Sequence, residues 1–180
     1  MEKRIFGVTG LMACGKGTVA KYFAEKYGAD TFRFSTMLRD VLDRLYLPQS
    51  RENFQIISPW LRQTFGQDLF AKVMANDVKK ATSKIIIIDG MRRPADIEYL
   101  KKIEGFKLVA LEVEAKIRYE RLTKRGENTD DTTKTWGQFQ KEHQAETEIY
   151  IPELMKQADV KINNNGSVED LYKQLDELIK

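Results

Sequence analysis

Apolar positions along the chain alternate between two spacings, and the alternation predicts a layered α/β domain. The run "RIFGVT" at residues 4–9 is rich in β-formers and predicts a strand. Residues 18–27 follow as a helix with Val19, Ala20, Phe23 and Ala24 on one face, ended by Gly28. "ADTFRF" at 29–34 predicts a second strand. Residues 35–47 then form a helix capped by Ser35 or Thr36, with Met37, Leu38, Val41, Leu42 and Leu45 facing inward. Residues 50–66 and 67–82 predict two more helices, the first broken or kinked at Pro59. Four consecutive isoleucines, 85–88, predict a strand buried on both faces of a parallel sheet. A helix at 93–103, a strand at 106–113 and a basic amphipathic helix at 115–125 come next. A polar loop at 126–133, a helix from 134 to about Pro152, a strand at 158–163 and a helix at 167–180 capped by Ser167 complete the chain. Strands separated by helices imply a parallel sheet covered on both faces, whose ligands sit beyond the carboxyl ends of the strands. Gly10, Ser35, Asp89 and Asn163 all fall just after such strands.

At 180 residues the chain fits a single domain. Its 30 basic and 27 acidic residues leave a net charge of +3, too balanced to argue for nucleic acid as a partner. Any anion site must come from local clustering of Arg and Lys. The one cysteine, Cys14, allows no intramolecular disulfide and suits a reducing compartment. No apolar run has the length of a signal-peptide core or a membrane span. The expectation is a cytoplasmic protein, monomer or homodimer, without a membrane or nucleic-acid partner.

The chemistry begins with "VTGLMACGKGT" at residues 8–18. A strand followed by G-x-x-x-x-G-K and a helix gathers backbone N–H groups into one concavity at a helix N-terminus, where nest and dipole both favour phosphate. Gly10, Ala13, Cys14, Gly15, Lys16, Gly17, Thr18 and Val19 are therefore the nucleotide-binding candidates, with Lys16 as the charge on the outer phosphates. The usual loop has Ser or Thr at the position of Gly17, to hold magnesium. Asp89, ending the isoleucine strand, is placed to orient Mg²⁺ through its waters. His143 has no partner in sequence and reads as structural or exposed, and Trp60 and Trp136 as packing residues. No His/Cys spacing suggests zinc, and no Ser-His-Asp order suggests a hydrolase.

"GxxxxGKGT" resembles the loop of adenylate kinase and other nucleoside monophosphate kinases, in which glycine also follows the lysine. The sequence departs from it in having Ala13 where a glycine is expected. As a whole the chain resembles an archaeal-type group of P-loop nucleotide kinases, related to dephospho-coenzyme A kinase and phage deoxynucleoside monophosphate kinases. The matching stretches are "RENFQIISPWLRQTFGQD", "DGMRRPADIEYL" and "ADVKINNNGSVEDL", with Arg118, Arg121 and Arg125 before a "DD" pair. The resemblance implies a three-layer P-loop fold of roughly five parallel strands with helices on both faces. It also implies a helical acceptor-binding region at 36–82 and a small lid at 118–133. ATP with Mg²⁺ would be the donor, and Thr18 would contact the α-phosphate and, with Asp89, the metal's waters. Ser35, Arg39, Arg62, Arg92 and Arg93 would hold a small phosphorylated acceptor. Arg121 and Arg125 would close over the reaction, and Asn165 and Gly166 would pack near the base. Dephospho-coenzyme A kinase has an acidic pair after the second strand, serving as base for a hydroxyl, where this chain reads "FRFSTM". The implied reaction is transfer of the γ-phosphoryl of ATP to a nucleoside or deoxynucleoside monophosphate. A hydroxyl kinase and a P-loop switch protein are the alternatives.

Overall fold

The computed structural model describes residues 3–125, 131–144 and 148–180, the side chains at 51 and 125 excepted. Five strands, β1 (Arg4–Thr9), β2 (Asp30–Arg33), β3 (Ile85–Asp89), β4 (Phe106–Glu112) and β5 (Val160–Asn163), form one sheet in the order β2-β3-β1-β4-β5. Every pairing is parallel, and Val8 of β1 lies level with Asp89 on one side and Val109 on the other. The isoleucine strand shows why a parallel sheet needs so apolar a run. Ile86 and Ile88 pack into one core while Ile87 packs into the other, so neither face is wet. Each such side chain contributes about 1.5–3 kcal/mol by its burial.

The first core joins the sheet to α2 (Phe34–Arg44), α4 (Leu69–Lys80) and α8 (Ile151–Lys156) through Phe34, Phe70, Met74, Val78 and Leu154. The second joins it to α1 (Lys16–Tyr27) and α9 (Val168–Glu177) through Val19, Phe23, Leu171 and Leu175. Helices therefore cover both faces, as expected. The other helices are α3 (Arg51–Phe65), α5 (Pro94–Ile97), α6 (Ala115–Arg125) and α7 (Trp136–Glu142). No helix among the described residues is long and apolar enough to cross a membrane.

A polar tie fixes α1, the helix that carries the glycine loop. Asp176 of α9 accepts hydrogen bonds from Tyr22 Oη at 2.6 Å, Tyr27 Oη at 2.6 Å and Lys26 Nζ at 2.8 Å. Lys26 above all, then the two phenols, hold its carboxyl well below the usual carboxylate range. A depressed folded value means that the tie stabilises above the ordinary aspartate pKa and weakens as pH falls below it. The substitution Asp176→Asn is therefore expected to lower the melting temperature at pH 6–7 and to narrow its gap from wild type in increasingly acid melts. A constant gap across an acid series of calorimetric melts would contradict this.

Several element boundaries depart from the sequence expectation. The helix after the loop begins at Lys16 rather than Thr18, and its buried face is Val19, Tyr22 and Phe23, with Ala24 turned outward. α2 follows β2 without a gap, so Arg33 is its N-cap and neither Ser35 nor Thr36 caps it. It ends at Arg44, where Tyr46 turns the chain at φ 58°, and Leu45 is left 57% exposed. Pro59 lies inside α3, which continues through it. The helix expected at 93–103 is only the short α5 and a 3-10 turn at Leu100–Lys102. The helix expected from 134 breaks after Glu142, and Pro152 opens α8 instead of closing its predecessor. Proline's fixed φ and missing N–H suit a first turn, which makes it a start signal there.

Candidate functional site

The stretch joining β1 to α1 forms a tight loop held by unusual backbone angles, with φ of 152° at Gly10, 59° at Ala13 and 102° at Gly15. Ala13 takes a left-handed conformation that glycine adopts more cheaply, a cost of roughly 1 kcal/mol. Gly10 has no room for a side chain: a Cβ there would lie 2.6 Å from Cys14 Sγ and 2.9 Å from the Leu111 carbonyl. Cys14 points inward among Phe6, Val8 and Val19, and burial pushes its thiol pKa up. It plugs the space under the loop, with its sulfur 3.6 Å from Lys16 Nζ.

Hydrogen bonding within the loop leaves a set of open donors. Met12 N–H is taken by Glu148, Cys14 N–H by the Leu11 carbonyl, and Val19 N–H by Gly15. The amides of Ala13, Gly15, Lys16, Gly17 and Thr18 reach no acceptor among the described residues. Unsatisfied N–H groups at a helix N-terminus make an anion-binding concavity. Lys16 Nζ, lacking an anionic partner, donates to the Gly10 carbonyl at 2.7 Å and the Leu11 carbonyl at 3.3 Å.

Three neighbours support this loop, and the sequence marks only Arg118 among them, as part of the basic helix, and neither Asn164 nor Glu148. Asn164 is buried after β5 and donates through Nδ2 to the Cys14 carbonyl at 2.9 Å. A Cβ at Gly15 would strike that nitrogen at 2.6 Å, so the glycine is required by the asparagine's approach. Glu148, also buried, accepts from Met12 N–H at 3.0 Å and pairs with Arg92 at 3.2 Å. Arg118 of α6 donates to the Met12 carbonyl at 3.3 Å. It also lies 2.7 Å from His143 Nε2, and burial draws its pKa down. A guanidinium can only donate, so His143 accepts at Nε2 and its Nδ1 proton goes to the Phe139 carbonyl at 2.8 Å. The histidine is thus structural, with a partner that sequence distance hid. The signal for Asn164 lies in the three asparagines that end and follow the last strand, of which Asn165 is the candidate.

Across the crevice, Asp89 ends β3 with Oδ2 3.2 Å from Arg33 Nε. Its other oxygen, Oδ1, is buried and has no hydrogen-bond partner. An orphaned carboxylate oxygen beside open backbone donors suits a hydrated divalent cation held against a phosphate tail. The residues present thus fit both ATP and magnesium.

The remaining candidates scatter more widely. Arg121 reaches the Gly166 carbonyl at 3.4 Å, which brings α6 to the loop after β5. Asn165 turns instead to the Glu114 amide at 2.8 Å. Arg39 packs over Phe54 and binds Gln49, at the junction of α2 and α3. Ser35 sits in the first turn of α2. Arg92 pairs with Glu148, and Arg93 lies over the Tyr150 ring. Arg62 is drawn into the core, paired with Asp96 at 3.0 Å and stacked on Phe70. The Arg125 side chain and loop residues 126–130 lie outside the described residues. Trp136 stacks on Phe139, while Trp60 remains 56% exposed against Phe65.

Residues 7–149 match the AAA-domain family. The "UPF0200 protein" of Sulfurisphaera tokodaii is 31% identical over 98% of this chain and 96% of its own. That of Methanoregula boonei is 29% identical over 97% and 95%. Among solved structures, TT1252 from Thermus thermophilus superposes with a TM-score of 0.66 at 15% identity, covering 99% of this chain and 97% of that one. A sugar kinase from Janibacter sp. HTCC2649 gives 0.59 at 16%, covering 98% and 94%. Shikimate kinase from Bacteroides thetaiotaomicron gives 0.53 at 18%, covering 98% and 95%. The strand order, the glycine loop with its open amides and these likenesses lead to one assignment: the chain belongs to the UPF0200 family of AAA-domain proteins and has the P-loop kinase fold.

Proposed function

We propose that the protein is a phosphotransferase that moves the γ-phosphoryl of ATP to a nucleoside or deoxynucleoside monophosphate. One observation carries the choice of acceptor. Among the described residues, three carboxylates around the loop and after β3 are each paired with an arginine: Asp89 with Arg33, Glu148 with Arg92 and Asp96 with Arg62. A hydroxyl acceptor calls for a general base, and a carboxylate neutralised by a guanidinium is a poor one. A phosphate acceptor needs only alignment and positive charge, which arginines supply bidentately.

In this reading the open loop amides and Lys16 hold the donor phosphates, and Thr18 and Asp89 face the metal's waters. Magnesium held there would supply positive charge against the donor phosphates. Arg39 and Arg92 hold the acceptor, with Ser35 and Arg93 beside them, and Arg121 and Arg125 close over the transfer. Arg62, placed in its buried pair, supports the α3–α5 contact rather than touching the acceptor. Residues 36–82 and 118–133 exclude water, which keeps ATP from wasteful hydrolysis.

The test is ADP release from ATP with nucleoside monophosphates, deoxynucleoside monophosphates, dephospho-coenzyme A, shikimate and hexoses added singly. One monophosphate is expected to raise the rate at least about tenfold above hydrolysis without acceptor. Stimulation by a hydroxyl compound alone would replace this reading with the second one, which the sugar and shikimate kinase likenesses favour. Hydrolysis indifferent to every acceptor would indicate a switch protein.

A further inference from the structure

Arg33 belongs to none of the candidate sets, yet it occupies the metal side of the site. It ends β2 level with Asp89 at the end of β3, and the parallel pairing sets the two residues side by side at the rim. Its Nε lies 3.2 Å from Asp89 Oδ2, and its side chain is 45% exposed where that of Asp89 is 9% exposed. The far side of the guanidinium faces Gly17. A Cβ built at Gly17 would find Arg33 Nη2 as its nearest neighbour, 4.0 Å away. In the usual loop that position carries the hydroxyl that ligates magnesium directly. The guanidinium thus lies between the acidic residue and the vacant hydroxyl position, in the neighbourhood where a divalent cation is needed.

Two cations beside one carboxylate repel each other, and screening at a half-exposed site reduces the repulsion without abolishing it. The arginine's long, half-exposed stem lets it leave, whereas Asp89 is fixed by its strand and its burial. We propose that Arg33 is a competing counter-ion of Asp89, a positioning residue that holds the carboxylate in the nucleotide-free protein and yields it when a metal–nucleotide complex binds. The proposal rests on the nucleotide reading above. It accounts for the glycine at position 17, since a side chain longer than alanine's there would crowd the arginine's path. Its consequence is that this chain binds free nucleotide readily and takes up metal reluctantly.

The test separates metal from nucleotide. Isothermal calorimetry gives ADP affinity without metal, and electron paramagnetic resonance follows Mn²⁺ uptake in the presence of saturating ADP. Arg33→Gln, and Arg33→Met as a second variant that keeps the apolar stem, are expected to bind Mn²⁺ about five- to tenfold more tightly than wild type. Metal-free ADP affinity is expected to weaken by no more than about threefold, because Nε is engaged by Asp89 and only the outer Nη2 lies near Gly17. Arg33→Lys, which keeps the charge, is expected to stay near wild type. Unchanged or weaker Mn²⁺ binding in Gln and Met variants that melt cooperatively would overturn the proposal, leaving Arg33 as an orienting group only. A wild-type protein that binds no ADP at all would instead overturn the nucleotide reading, and the inference with it.

Discussion

Replacing Lys16 by alanine is expected to weaken ADP and ATP binding about 10- to 100-fold, the value of a charged hydrogen bond to phosphate. Phosphoryl transfer is expected to fall by roughly a further 10²–10³, because the lysine also meets charge that develops during transfer. The geometry gives the reason. Its ammonium donates to the carbonyls of Gly10 and Leu11, neutral acceptors that leave its charge unneutralised within the loop. An arriving phosphate exchanges those weak partners for an anion. The same bonds lend the loop a modest tie, so the variant should melt only a few degrees below wild type. Calorimetric titration with ADP and melting curves with and without nucleotide check both parts. If Lys16→Ala binds ADP as tightly as wild type, the loop is not the donor site.

Two glycines of the same loop should respond in opposite ways. Gly10→Ala sets a methyl group 2.6 Å from a buried sulfur and 2.9 Å from the backbone oxygen of Leu111, at a φ of 152°. The sulfur can shift, but the carbonyl belongs to β4 and cannot. A loss of about 3–4 kcal/mol is expected from overpacking and backbone strain together, a large part of a domain's ~5–15 kcal/mol. Gly17→Ala meets nothing closer than the tip of Arg33 at 4.0 Å and stands in the first turn of α1. It is expected to be neutral or to stabilise by up to about 1 kcal/mol through helix propensity. Urea denaturation of the two variants side by side measures the contrast. Equal stabilities would mean that the loop backbone is not held as described.

The sequence displayed what is local and hid what is long-range. β1, β3 and the glycine loop were legible because apolar runs and glycine spacing are contiguous in the chain, and the core follows them. The site's supports were not. Asn164 bonds a residue 150 positions away, and Glu148 one 136 positions away, so no window of sequence contains either pair. Arg62 invited a ligand role because its apolar neighbourhood and Asp96 come from other elements. Arg33 looked like an ordinary strand residue until β2 was laid beside β3, which brought it level with Asp89. Helix limits depart from the periodicity in the same region: α7 ends at Glu142, and Glu148 beyond it accepts from the loop.

The peptide groups on either side of Met12 are gripped by two segments far along the sequence. Arg118 comes from α6 and Glu148 from the chain just before α8. Both anchors end on one loop residue, so the two segments share a single fixed point at the rim of the glycine loop, outside the sheet.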